Sequence, residues 1–136
     1  MQYLLDQIKT HEGFKKKVYI DTEGYQTIGY GFAIKDLELD EDIAEEILSR
    51  KLTKLISRIR KTFDWYDTMP EEIQDVVVNM CYNVGISGYS KFKKHIKYLI
   101  EKNWDKSADE MLDSLWAKQV KSRAIELSEI VRNCNR

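Results

Sequence analysis

The 136-residue chain has one proline, two cysteines, two histidines and six glycines. It has no uninterrupted apolar run of the roughly 18 residues that a membrane span needs, so membrane insertion is not expected. So little proline and glycine argues against linker or low-complexity character. Cys81 sits within an apolar helical pattern and Cys134 near the end. They read as free thiols rather than a disulfide framework, consistent with a reducing compartment. His11 and His95 are far apart and no cysteine pattern accompanies them, so neither a metal site nor a cofactor is expected. An excess of charge of one sign is also missing. With 22 basic and 23 acidic residues the net charge is −1, without the positive surplus by which proteins hold nucleic acid. The first residues, Met1-Gln2-Tyr3-Leu4-Leu5-Asp6-Gln7, lack the basic and long apolar segments of a signal peptide. The expectation is a cytoplasmic monomer that needs another factor to release it to its site of action.

What is present is ordinary globular composition, 43% hydrophobic and 33% charged, enough for a single domain with a real core. Leu4, Leu5 and Ile8 share a face over residues 3–11, and Gly13 follows as a helix stop. Four glycines (Gly13, Gly24, Gly29, Gly31) then fall among β-branched and aromatic residues, which predicts a small antiparallel hairpin or meander with its turn at Asp21-Thr22-Glu23-Gly24. From Asp40 to Phe63 the apolar spacing is helical throughout, with acids in front and bases behind, as the helix dipole favours. Such a helix is about 36 Å long at 1.5 Å per residue, enough to bridge two lobes. Thr68-Met69-Pro70 opens another helix, in which Ile73, Val76, Val77, Met80, Cys81 and Val84 form the cleanest apolar stripe. Gly85 and Gly88 should break it. Shorter helices are predicted at roughly 89–102, 105–115 and 119–132. The fold class is α+β, mostly α: a β-containing lobe at about 13–39, a connecting helix at 40–64 and a helical lobe at 65–136, with residues 1–12 packing on the latter.

Glu12 stands at the junction of the first helix and the hairpin, Asp21 at its turn and Thr27 on the return strand. Glycosidic hydrolysis usually uses two carboxyl groups, one protonating the leaving oxygen and one activating water or attacking the sugar. The acid needs a raised pKa, commonly supplied by burial. The spacing of these three residues is common enough to arise by chance. The residues around them are more specific.

The stretch Glu12-Gly13-Phe14-Lys15-Lys16-Lys17-Val18-Tyr19-Ile20-Asp21-Thr22-Glu23-Gly24-Tyr25-Gln26-Thr27-Ile28-Gly29-Tyr30-Gly31 resembles the phage-type lysozymes, glycoside hydrolase family 24. Asn79-Met80-Cys81-Tyr82-Asn83-Val84-Gly85, Asn103-Trp104-Asp105 and Ser122-Arg123-Ala124 continue the resemblance across nearly the whole chain. It implies a lysozyme-like fold and a muramidase acting on peptidoglycan glycan strands, with inversion at the sugar. By the same resemblance Glu12 is the general acid, while Asp21 and Thr27 support the attacking water. Arg123 orients Glu12, although a nearby guanidinium also opposes the raised pKa the acid needs. Gly31, Tyr82 and Asn83 line the saccharide site. The chain departs from the family in carrying Phe32 where histidine is common, and in its low net charge, which removes electrostatic steering towards an anionic wall.

Other readings attach to the remaining residues. His11, His95 and the Lys15–Lys17 run are expected to be solvated. Trp65, Trp104 and Trp116 are expected in or beside the core, as are Met69, Met80 and Met111. Two alternatives to the hydrolase are a lytic transglycosylase on the same bond, which needs no second carboxylate, and an inactive wall-binding module.

Overall fold

The boundaries of most elements in the computed structural model, which describes residues 1–134, follow from glycines, caps and one proline. Residues 135 and 136, which the sequence places at the end of the helical lobe, lie outside the described residues. Helix α1 (Gln2–Glu12) ends at Gly13, whose N–H bonds the Lys9 carbonyl. Strands β1 (Lys15–Ile20), β2 (Gln26–Gly29) and β3 (Phe32–Ala33) form an antiparallel sheet in that order. The pairs Tyr19–Thr27 and Ile20–Gln26 set the register of β1 on β2, with an irregularity between Lys15 and Tyr19. Thr27–Ala33 and Ile28–Phe32 join β2 to β3. Thr27 therefore lies on the central strand.

A short 3₁₀ turn at Ile34–Asp36 leads towards α2 (Glu41–Thr62). Glu41 and Asp42 occupy its first turn and Arg60 and Lys61 its last, each complementing the helix dipole. The chain divides into two compact units, Met1–Glu45 and the residues from Glu46 onward. The boundary falls inside α2.

The second unit holds the core. Pro70 precedes α3 (Glu71–Tyr89), and the predicted stripe is buried from Ile73 to Cys81, with Val84 partly so. Each such side chain is worth about 1.5–3 kcal/mol of burial. Helices α4 (Lys93–Ile100), α5 (Trp104–Leu112), α6 (Leu115–Val120) and α7 (Ser122–Arg132) complete it, with α7 packed on α3 and α5. Met69, Met80, Met111 and Trp116 are buried, and Trp65 and Trp104 pack against the core. Both cysteines are buried free thiols. None of the helices among the described residues is long and apolar enough to cross a membrane.

Three expectations are corrected. Gly85, at φ 81° and ψ 160°, breaks the regular helix as expected, but Gly88 does not: it stays helical with Val84 packed against it. The segment 119–132 is not one helix. Ser114 caps α6 by accepting from the Ala117 N–H, and Lys121, at φ 47°, separates α6 from α7. His95 is not on a solvated face: it is 1% exposed, between Tyr89 and Ser107.

Candidate active site

In the first unit, the turn after β1 is built on the Asp21 side chain. Its Oδ1 accepts from the backbone N–H groups of Glu23 (2.9 Å) and Tyr25 (2.8 Å). The Asp21 N–H donates to the Tyr25 carbonyl, and the Gly24 N–H donates to that of Asp21. Gly24 takes φ 89°, a conformation that side chains on this tight turn would strain. With Oδ1 held by two backbone donors, the carboxylate plane is fixed and Oδ2 lies outside both bonds.

Thr27 is 3% exposed, the buried residue of this unit. Its Oγ1 donates to the Tyr25 carbonyl at 3.0 Å. A hydroxyl has one proton and two lone pairs. With the proton committed to Tyr25, the oxygen is left as an acceptor.

Glu12 comes to this sheet from the last turn of α1. Its carboxyl lies over Gly31, between β2 and β3. A Cβ at Gly31 would stand 2.5 Å from Glu12 Oε2 and 3.0 Å from its Cδ. Gly31 also takes φ 76°. Only glycine meets both demands without moving the carboxyl or straining the backbone. The absent side chain at Gly31 is thus what lets the Glu12 carboxyl approach the sheet. Phe32 packs its ring against Gly29 and meets Tyr30 edge-on at 6.4 Å between centroids.

In the second unit, α3 and α7 place the remaining predicted residues. Arg123 donates from Nε (2.9 Å) and Nη2 (2.7 Å) to Asn79 Oδ1, and from Nη2 to the Asn79 carbonyl (3.2 Å). This fork fixes the guanidinium and leaves Nη1 outside it. Asn79 has no role in the sequence reading. Its spacing from Tyr82 and Asn83, three and four residues along one helix face, was the available signal. Tyr82 is half exposed. Asn83 Oδ1 accepts from Trp116 Nε1 at 2.7 Å, which sets the orientation of its amide. A cavity of about 370 Å³ is lined by Asn79, Tyr82 and Arg123 together with Leu48, Leu52, Ile56, Asp75 and Val78.

Comparison with known proteins gives the family. The family model described as phage lysozyme matches residues 9–132. "Probable T4-type lysozyme 2" of Dictyostelium discoideum is 27% identical over 150 residues, covering 89% of this chain and 88% of that protein. "Probable T4-type lysozyme 1" of the same organism is 25% identical, covering 93% and 91%. The "pre-baseplate central spike protein Gp5" of Enterobacteria phage T4 is 24% identical across 97% of this chain, which spans 28% of that longer protein. The chain belongs to the phage lysozyme family and is a glycosidase of the lysozyme type.

Proposed function

We propose that the protein is a muramidase that hydrolyses the β-1,4 bond between N-acetylmuramic acid and N-acetylglucosamine in peptidoglycan. The observation that carries this reading is the first unit itself, where an acid over Gly31, a turn-locked carboxylate and a buried acceptor hydroxyl occur on one small sheet. In this scheme Glu12 gives its proton to the leaving oxygen. A water molecule donates one hydrogen to Asp21 and the other to Thr27 Oγ1, which leaves a lone pair aimed outward at the anomeric carbon. The C–O bond to the leaving sugar breaks as the bond to water forms. Asp21 takes the water's proton, and the sugar inverts. Arg123 is assigned to orienting the acid, and Gly31, Tyr82 and Asn83 to the saccharide.

The test is lysis of purified sacculi. Glu12→Gln should reduce the rate of turbidity loss by about a hundred- to ten-thousandfold, the range for general acid–base catalysis. Products should carry reducing ends. A 1,6-anhydro end on the muramic acid would instead establish transglycosylation, and undiminished lysis by the variant would remove Glu12 from the chemistry.

A further inference from the structure

A second cavity of the second unit, about 330 Å³, lies between α2 and the kinked end of α3. Lys51, Lys54 and Arg58 reach it from α2, and Tyr82 and Gly85 from α3. Positions three and seven residues apart fall on one face of a helix, so the three cations line one side of the cavity. No aspartate or glutamate is in the lining. Four other cavities of this unit each include a carboxylate, among them Asp75, Glu110 and Glu101. Arg50 and Arg60 on the same helix are paired with Glu46 and Asp67. Lys51, Lys54 and Arg58 take part in no ion pair among the described residues. The helix dipole rewards bases only in the last turn, which accounts for Arg60 and Lys61 but not for Lys51 and Lys54.

We infer that this cavity binds a phosphate group. Three cations suit an ion that carries up to two charges and presents three oxygens, and a single carboxylate is already satisfied by one arginine. Arg58 offers a planar fork and the lysines offer point charges. The half-exposed ring of Tyr82 offers a face to the uncharged part of a larger ligand. The phosphate is either the free anion or part of a phosphodiester polymer. Of the residues assigned to the glycosidase reading the site shares Tyr82 alone, and replacing the three cations leaves that residue in place.

The experiment is a ¹⁵N-resolved titration of the whole chain with inorganic phosphate, at ionic strength held with sodium chloride and with acetate as the control anion. Phosphate should produce saturable shifts at Lys51, Lys54, Arg58, Tyr82 and Gly85. Lys51→Gln/Lys54→Gln/Arg58→Gln should weaken binding by at least about tenfold. The same charge change at Lys91, Lys93 and Lys94 should leave it intact. All six positions are exposed, so both variants should unfold at the wild-type midpoint. Equal shifts with acetate, or equal losses in both variants, would overturn the site. Co-sedimentation with sacculi that retain phosphodiester polymers, against sacculi stripped with hydrofluoric acid, separates the sources. Retention lost in the triple variant points to the polymer, and phosphate binding without such retention points to the free anion.

Discussion

Asp21 carries two roles that point mutations can separate. Its Oδ1 closes the turn through two backbone N–H groups, and its charge is what the proposed mechanism uses. Asparagine keeps an Oδ1 acceptor and loses the charge. Asp21→Asn should therefore unfold near the wild-type midpoint yet lose most lytic activity. Asp21→Ala should lose activity and also about 1–2 kcal/mol of stability, since two donors lose their partner. Paired urea unfolding and sacculus lysis decide this. An active Asp21→Asn enzyme would leave the residue with the turn alone. The candidate residues were legible because glycine and aromatic residues at fixed offsets specify the hairpin that presents them. The Arg123–Asn79 fork was not, because its partners are 44 residues apart and meet only through the packing of α7 on α3.

At the scale of elements, α4 and α5 are joined to the end of α3 by a buried polar cluster. Ser107 Oγ donates to the His95 carbonyl (2.9 Å), so it accepts from His95 Nδ1–H (2.9 Å). His95 Nε2 then accepts from the Tyr89 hydroxyl at 2.9 Å. Every donor and acceptor in this chain is used, and the ring must be neutral. Burial pushes His95 down from its ordinary value of 6.5 to about 4, while burial raises Tyr89 well above its usual value. Above pH 6.5 this contribution to stability is fully present. As pH falls below 6.5 the unfolded chain takes up a proton that the folded chain refuses, and about 3 kcal/mol is lost by pH 4. Urea midpoints measured from pH 7 to 4 should show this slope, and His95→Gln should be less stable at pH 7 but flatter over that interval. An unchanged slope in the variant would place the titration elsewhere. Periodicity disclosed α2 to within a residue at each end and the start of α3, whose stripe from Ile73 to Cys81 is buried, whereas in α2 Ile59 is buried and Leu52, Leu55 and Ile56 partly so. The α6–α7 break was hidden, since a lysine with positive φ carries no sequence signal. His95 was misread for a related reason: among lysines it resembles a surface residue, and Ser107 reaches it only in the fold.

For the whole molecule, the near-zero net charge conceals a division. Residues 1–45 contain 5 basic and 10 acidic side chains, and residues 46–136 contain 17 and 13. The first unit thus carries −5 and the second +4. A wall rich in carboxylate or phosphate attracts the second and repels the first, so the loss of steering inferred from the total belongs to one unit. Neutralising exposed acids of the first unit, as in Asp36→Asn/Glu38→Gln, should speed association with sacculi at low salt. The gain should vanish once screening shortens the Debye length to about 8 Å. A gain that persists at high salt would have a cause other than charge.

The two buried thiols give this protein an internal clock. Burial pushes Cys81 up to about 12 and Cys134 to about 11, and only the thiolate reacts readily with alkylating reagents. In the folded chain both are therefore shielded twice, by packing and by protonation. Cys81 lines the cavity between α2 and α3 but is only 1% exposed, so a reagent meets its sulfur only when the packing around it opens. Its alkylation rate consequently reports the frequency of that opening, without any engineered label.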